Sequence, residues 1–210
     1  MPDFNVIFLD KSFLALEKPA GLLSVPGRGA EKQDSLAARV MAVFPEARVV
    51  HRLDMATSGL ILMARGKEAQ RVLNQQFAER QVGKTYEALV EGELSVANGI
   101  VDWPLLCDWP RRPRQIVSFA YGKPARTEYQ RLEYDAARNR SRVRLFPHTG
   151  RSHQLRVHMQ AIGHPILGDE FYATPTGFAA APRLLLHAAS LAFFHPERGE
   201  RLILTSLVPF

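Results

Sequence analysis

Residues 51–65, HRLDMATSGLILMAR, place a short polar segment directly before a run of apolar residues. The run GLILMAR has the length and composition of a buried β-strand, and the small polar residues before it mark a turn. Asp54 lies in the polar segment, two residues after Arg52 and three after His51. The segment alone leaves two roles open for this aspartate, because it can organise a turn through backbone hydrogen bonds or act as a buried reacting carboxylate.

The sequence on either side of this segment predicts strands that are interrupted by a few helices. Helices are expected in DSLAARVMAVFPEA and KEAQRVLNQQFAER, the second with Ala69, Val72, Leu73 and Phe77 on one stripe. Alternation in KTYEALVEG predicts a strand, and RTEYQRLEY and SRVRLFP flank a turn as a hairpin. Further strands are expected in Val6–Leu9, in Phe13–Leu16, and in RLLLHAASLAFFHP and RLILTS near the end of the chain. We therefore expect an α+β fold with a largely antiparallel sheet, in one domain over residues 1–210.

The charge balance favours a polyanionic partner. Lys and Arg number 27 against 21 Asp and Glu, which gives a net charge of +6, so nucleic acid is the first candidate and a membrane surface the second. One cluster without any acid contains Arg138, Arg140, Arg142, Arg144, Arg151 and Arg156. A second cluster contains Arg111, Arg112 and Arg114 among the aromatic residues Trp109, Phe119 and Tyr121. Such clusters can follow phosphates and stack bases, or they can simply form a solvated face.

Several classes of protein are disfavoured by what the sequence lacks. Cys107 is the single cysteine, which rules out an intrachain disulfide and a cysteine zinc cluster. There is no run of 18 apolar residues and no secretory leader, so we expect a cytoplasmic protein with no membrane association. His153 and His158 are five residues apart and have no completing carboxylate set, and no phosphate-binding glycine loop is found.

A second informative stretch is HTGRSHQLRVHMQAIG, residues 148–163. It predicts a short helix from Ser152 to Ile162 that Gly163 ends. Helical spacing places His153, Arg156 and Gln160 on one side, with apolar residues nearly opposite. We expect the apolar side to pack and the polar side to present hydrogen-bond donors, either to a ligand or to solvent.

Six segments in order resemble the RluA family of pseudouridine synthases. They are LEKPAGLLSVPG, HRLDMATSG, KTYEALVEG, TGRSHQLRVHM, GHPILGD and RLLLHA, and together they extend over nearly the whole chain. The resemblance implies the pseudouridine synthase catalytic fold. It also implies an isomerisation in which the uracil of a uridine in RNA is detached from the ribose at N1, turned, and rejoined through C5.

The resemblance also assigns roles to individual residues. It implies that Asp54 is the essential aspartate, Tyr86 the active-site tyrosine, and Arg156 the basic partner of the aspartate. It implies that Arg52 fills the gap left when the target nucleotide flips out, and that Leu186 supplies an apolar wall. His51 and Thr57 resemble the supports of the catalytic loop. A packing role in the core remains the alternative for Tyr86.

The resemblance further implies the partners of the reaction. The expected substrates are RNA stem-loops, namely position 746 of 23S ribosomal RNA and position 32 of the transfer RNA anticodon arm, modified by a monomer without metal or organic cofactor. The family-like segments begin at Glu17, so we expect no N-terminal S4 domain, and RNA recognition is assigned to Arg111, Arg112 and Arg114. The alternatives are an enzyme for only one of these RNAs, a catalytically silent RNA-binding module and a metal-dependent RNA hydrolase.

Overall fold

The computed structural model describes residues 3–210, which fall into two compact units. The first unit runs to Lys84 and resumes over His187–Pro209. The second unit consists of Thr85–Leu186 together with Phe210. The boundaries after Lys84 and Leu186 fall inside strands rather than in loops.

Strands dominate the described residues, as the sequence predicted. In chain order the strands and α-helices are β1 (Asn5–Leu9), β2 (Phe13–Lys18), α1 (Leu36–Val43), β3 (Ala47–Val49), β4 (Ser58–Arg65), α2 (Lys67–Ala78), β5 (Gly83–Glu91), β6 (Asn98–Val101), β7 (Leu105–Cys107), β8 (Gln115–Val117), β9 (Thr127–Asp135), β10 (Arg140–Pro147), α3 (Gln154–Ala161), α4 (Pro175–Ala179), β11 (Leu186–Phe194) and β12 (Arg201–Thr205). Short 3₁₀ turns occur at Ala30–Lys32 and Trp109–Arg111. The predicted α+β class is confirmed.

The first unit is built on strands in the order β1, β2, β4, β11 and β12. Neighbouring strands in this order are antiparallel except β4 and β11, which pair in parallel where Ser58 meets His187 and Gly59 meets Ala188. Strand β3 pairs with the other end of β4, from Arg65 to Met63. The start of β4 is therefore the point at which the chain leaves the HRLD segment and enters the sheet.

Strand β4 is central to this unit because both of its faces are buried. All of its residues except Arg65 are buried, which explains the continuous apolar run in its sequence. Leu60 and Leu62 pack with Phe13, Phe193 and Leu73 in one cluster. Leu73 belongs to the apolar stripe predicted for α2, so that helix covers β4 as its periodicity indicated.

The second unit contains an antiparallel sheet in the order β5, β10, β9 and β6. Strands β9 and β10 form the predicted hairpin, with Asp135 opposite Arg140. Strands β7 and β8 form a separate two-stranded sheet, with Cys107 opposite Gln115. We call residues 105–117, that is β7, β8 and the tip between them, the ribbon.

Helix α3 differs from the helix that was predicted for the TGRSHQLRVHM segment. The helix begins at Gln154 rather than Ser152, and His153 before it has left-handed backbone angles, with φ 52°. The polar side was expected to present donors, but His153 and Arg156 are buried and Gln160 alone of the three predicted residues is exposed. The partners of His153 and Arg156 are the buried residues Tyr172 and Asp169, so helical periodicity alone could not show that these two side chains are buried. Gly163 follows the helix with φ 88°, which confirms the predicted stop.

Candidate active site

The loop that carries Asp54 is fixed on both sides of that residue. Ser24 Oγ donates to the carbonyl of Leu53 (2.7 Å) and accepts from the Leu53 amide (3.0 Å). The carbonyl of Met55 accepts from the amide of Gly21 (2.8 Å) and from Nζ of Lys18 (2.9 Å). We call residues 51–57 the aspartate loop. Because both neighbours of Asp54 are held by the LEKPAGLLSVPG segment, the backbone at Asp54 has little freedom to move.

Turn formation and a reacting carboxylate are compatible roles for Asp54. Its carbonyl oxygen accepts from the amide of Thr57 at 3.1 Å, which closes the turn. The turn is therefore closed by a main-chain hydrogen bond. The half-buried carboxylate of Asp54 is not the group that closes it. The neighbouring Arg52 is exposed.

Lys18 contacts the aspartate loop and was not singled out from the sequence. Its side chain is fully buried, and Nζ donates to the carbonyls of Pro19 (2.8 Å), Leu22 (2.7 Å) and Met55 (2.9 Å). Burial lowers the pKa of Lys18 to about 8, and the negative charge of Asp54 acts in the opposite direction. Lys18 is thus both a support and a nearby positive charge for Asp54. The only signal in the sequence was its place in LEKPAGLLSVPG.

His51 supports the aspartate loop as a neutral side chain. Its Nε2 accepts a hydrogen bond from the amide of Leu62 in β4 (2.9 Å), and its ring stacks on Phe77 with centroids 4.6 Å apart. Burial, with a smaller contribution from the charge of Lys84, lowers the pKa of His51 to about 3. An imidazole that accepts at Nε2 and remains neutral anchors the loop and is unsuited to proton transfer at neutral pH.

The small residues after the loop have a steric reason. Thr57 is buried, and Ser58 Oγ is hydrogen-bonded to Nδ1 of His187 at 2.9 Å. Gly59 has φ 113°, and a Cβ at this position would collide with the backbone of Ala188 in the parallel neighbour β11. The small residues of the TSG sequence therefore allow the chain to enter the sheet where β4 and β11 pair in parallel.

Tyr86, Arg156 and Leu186 belong to the second unit. Tyr86 lies on β5 opposite Leu145 of β10 and is half-buried. Leu186 is buried at the start of β11. Arg156 is only 2% exposed, and it forms a two-pronged ion pair with Asp169, from Nε to Oδ2 (2.7 Å) and from Nη2 to Oδ1 (2.6 Å). Asp169 was not singled out from the sequence, although it lies in the GHPILGD segment.

The two arginine clusters differ in their surroundings. On β10 and its hairpin, Arg138 and Arg140 pair with Asp135 at 3.1 and 3.3 Å, and Arg142 and Arg144 pair with Glu87 at 3.7 and 2.9 Å. The sequence window around these arginines contains no acid, but the neighbouring strands β9 and β5 supply Asp135 and Glu87. The suggestion that this cluster follows phosphates is weakened, because each of these four arginines already has an acidic partner.

The ribbon keeps its basic and aromatic groups at the surface. Trp109 of the ribbon is 67% exposed, and Phe119 and Tyr121, which follow the ribbon, are 75% and 81% exposed. Arg112 lies over the Trp109 ring at 4.0 Å, whereas Arg111 pairs with Asp108 at 2.6 Å. Arg114 lies 5.7 Å from the ring of Phe171. Of the three arginines assigned to RNA recognition, Arg112 therefore has the geometry of a stacking platform.

His153 and His158 have separate protein partners. His153 Nδ1 is hydrogen-bonded to Tyr172 Oη at 2.8 Å, and His158 contacts Thr127 Oγ1 and the carbonyl of Trp103, both at 2.9 Å. Over residues 3–210, no three His, Cys, Asp or Glu side chains are grouped to hold a metal ion. In the same part of the chain, no helix has the length and apolar character needed to cross a membrane.

Comparison with known proteins identifies the family. The model of the RNA pseudouridylate synthase family matches residues 12–161. The chain belongs to this family. It is 56% identical over 199 residues to the dual-specificity RNA pseudouridine synthase RluA of Escherichia coli O6:H1, covering 95% of this chain and 90% of the relative. The RluA protein of Vibrio vulnificus is 50% identical, over 93% of this chain and 80% of the relative.

A solved structure agrees with this assignment. Human RNA pseudouridylate synthase domain containing 1 superposes with a TM-score of 0.83 and 29% identity, covering 100% of this chain and 85% of that one. The resemblance to pseudouridine synthases inferred from six sequence segments is confirmed, and so are the fold class and the enzyme class that it implied.

Proposed function

We propose that this member of the pseudouridine synthase family isomerises uridine at position 746 of 23S ribosomal RNA and at position 32 of the transfer RNA anticodon arm. The support for two RNA classes is the dual specificity named for relatives that are 50% to 56% identical over most of the chain. We further propose that the enzyme acts as a monomer. We also propose that it works in the cytoplasm, in keeping with the single, unpaired Cys107.

The observation that carries the catalytic assignment is the rigid support of the aspartate loop by Ser24, Lys18 and Gly21. A carboxylate can attack carbon or remove a proton without a metal, provided that it is held in position. We assign this role to Asp54. In the reaction the N1–C1′ bond breaks, a C5–C1′ bond forms, N1 gains a proton and C5 loses one.

Tyr86 and Arg156 are assigned to the nucleotide that reacts. A tyrosine ring can stack on uracil, and its hydroxyl can help to remove the C5 proton after reattachment. The guanidinium of Arg156 is always charged and favours a nearby anionic group. Leu186 is assigned to the apolar wall of the base pocket, while His51 and Thr57 hold the aspartate loop.

Access to the uracil requires base flipping, because C5 and N1 are shielded in stacked RNA. Arg52 is exposed and separated from Asp54 by one residue. Its planar guanidinium can stack and donate hydrogen bonds in the space that the extruded base leaves. We therefore assign to Arg52 the stabilisation of the flipped state.

RNA docking is assigned to the ribbon, through Arg111, Arg112 and Arg114. Exposed aromatic rings beside arginines suit unpaired bases and their phosphates. The paired arginines of β10 suit this task less well, since binding phosphate would require them to leave Glu87.

Tritium release tests the function and its two substrates together. Ribosomal and transfer RNA stem-loops, each tritiated at uracil C5, are incubated separately with the protein in EDTA. Release from both RNAs without strand cleavage is the expected result. Release from one RNA alone would reduce the proposal to a single substrate class, and no release with intact binding would indicate a silent RNA-binding module. Strand cleavage, or a requirement for divalent metal, would point to a hydrolase.

A further inference from the structure

The guanidinium of Arg156 is enclosed by residues 169–172. Both partners of its ion pair are buried, with Arg156 2% and Asp169 1% exposed. The two carboxylate oxygens receive Nε and Nη2 at 2.7 and 2.6 Å. A two-pronged contact of this kind fixes the plane of the guanidinium as well as its position.

Two aromatic rings complete the enclosure. The central carbon of the Arg156 guanidinium lies 5.2 Å from the ring centroid of Phe171 and 5.2 Å from that of Tyr172. The carboxylate of Asp169 also accepts from the amides of Phe171 (2.9 Å) and Tyr172 (3.2 Å). The same carboxylate thus orients the arginine and the backbone that carries both rings. We call Asp169, Phe171 and Tyr172 the cradle.

The cradle is tied to the start of α3 and to the ribbon. Tyr172 Oη accepts from the amide of Gln115 on β8 at 2.8 Å and shares a 2.8 Å hydrogen bond with Nδ1 of His153. His153 immediately precedes α3, the helix that carries Arg156. One hydroxyl therefore joins the loop around the guanidinium to the base of its own helix and to an edge of the ribbon.

Stability alone is a weak reason to bury this ion pair. The cost of removing both charges from water offsets much of their attraction, and apolar replacements of such pairs are often neutral or stabilising. Orientation is different, because a catalytic group that is misplaced by about 1 Å can cost a factor of about 100 in rate. An arginine side chain has many rotamers, and a surrounding shell of contacts is needed to select one of them.

We propose that Asp169 and Tyr172 are positioning residues that hold the Arg156 guanidinium in the one orientation that the reaction uses. The inference rests on the proposed function, in which Arg156 contacts the reacting nucleotide. Asp169→Asn keeps the size of the side chain but removes its charge and one acceptor. It should lower kcat about 10- to 100-fold and leave the Kd for RNA unchanged. Tyr172→Phe keeps the ring and should lower kcat up to about tenfold.

A double-mutant cycle with Arg156→Lys tests the proposal. Lysine cannot make the two-pronged contact, so the orienting effect is already lost in that background. Single-turnover tritium release at saturating RNA and the Kd for RNA are measured for each variant, with circular dichroism melts to verify folding. Tyr134→Phe is the control for Tyr172→Phe, because it also removes a hydrogen-bonded tyrosine hydroxyl, here one that donates to Asn139 outside the cradle.

The expected result is a large loss of kcat from Asp169→Asn in the wild-type background and a much smaller loss in the Arg156→Lys background. Equal losses in both backgrounds, or no loss in the first, would overturn the positioning role. If Asp169→Asn does not fold, the cycle with Tyr172→Phe decides by the same criterion. Failure of the wild type to release tritium would overturn the proposed function, and this inference with it. An active wild type with additive losses would overturn the inference alone.

Discussion

Nζ of Lys18 donates a 2.9 Å hydrogen bond to the carbonyl of Met55, the residue that follows Asp54. The same ammonium group binds two further carbonyls from inside the fold, where its pKa is lowered to about 8. One lysine therefore links the geometry of the aspartate loop to its electrostatics, and this link can be followed by changing pH.

We predict that turnover falls as the pH rises through about 8, the lowered pKa of Lys18. Above that pH the lysine becomes a neutral amine with two hydrogens, so one of its three hydrogen bonds and the positive charge near Asp54 are lost. The pH–rate profile of Lys18→Met should be lower and should lack this alkaline step. Lys67→Met, at an exposed position, is the control and should retain the step. An identical step in Lys18→Met would show that another group titrates.

The lowered pKa of His51 leads us to predict that the folded protein is less stable in acid. Its pKa of about 3 in the folded protein lies below the ordinary 6.5, so the unfolded chain binds a proton that the folded protein does not bind. The free energy of unfolding should therefore fall as the pH drops from 6.5 towards 3, by at most about 1.4 kcal/mol per pH unit from this residue.

His51→Gln isolates this effect, because glutamine can accept from the Leu62 amide but does not titrate. Urea denaturation between these pH values should give a flatter dependence for this variant than for the wild type. His148→Gln, at an exposed position, should behave like the wild type. Parallel curves for His51→Gln and the wild type would contradict the neutral state of His51 in the folded protein.

Gly59→Ala should destabilise the first unit strongly, because the added methyl group would meet the backbone of Ala188. Backbone atoms of two paired strands cannot move apart cheaply, and we expect a loss of about 3 kcal/mol or more. Gly66 provides a matched control: its φ of 88° is also positive, but no atom lies within 4 Å of an added Cβ. Gly66→Ala should cost only about 1 kcal/mol. Similar unfolding free energies for the two variants would contradict the close approach of β4 and β11.

The ribbon can be tested by the salt dependence of RNA binding. Replacing Arg112 with Ala should weaken binding to the stem-loops and reduce the slope of log K against log salt by roughly 0.7 to 0.9, the share of one lost phosphate contact. Arg111 is retained because it is already paired with Asp108. Arg114 is left in place because it also lies over Phe171. Saturating turnover should change little.

The matched control for the ribbon is the replacement of Arg138 and Arg140 with Ala, because these arginines are already paired with Asp135. The control should leave the salt slope near that of the wild type. If it lowers the slope as much as the ribbon variant does, RNA docking does not depend on the ribbon.

The parts of the fold that the sequence predicted correctly depend on local pattern. The apolar run of β4 and the stripe of Ala69, Leu73 and Phe77 on α2 are determined by neighbours within the same segment. The burial of Arg156 could not be predicted in this way, because Asp169 lies thirteen positions later in the chain and approaches α3 only in the folded protein. Helical spacing correctly grouped Arg156 with other polar residues. It did not show that the guanidinium is buried against Asp169.

Charge patterns were misleading for a related reason. Arg142 and Arg144 appeared unbalanced because their acid, Glu87, belongs to β5 and reaches them only through the strand register. Lys18 was overlooked because a lysine in a segment with proline and glycine is typical of an exposed loop, whereas its distant partner, the carbonyl of Met55, becomes a neighbour only after folding. The family resemblance identified the segments in which these residues lie, but it assigned no role to Lys18 or Asp169.

The proposed reaction depends on the carboxylate of Asp54 as the group that attacks carbon or removes a proton. Asp54→Asn preserves the size of the side chain and, with it, the backbone contacts of Leu53 and Met55, but an amide is neither a nucleophile nor a base. The most direct measurement is tritium release from C5-labelled stem-loop RNA by the purified Asn variant, together with its RNA affinity and melting curve. Asp34→Asn, which alters an exposed carboxylate paired with Arg39, is the control. We expect no release by Asp54→Asn above background, with RNA binding and fold retained. Turnover at even a tenth of the wild-type rate would contradict the assignment to Asp54.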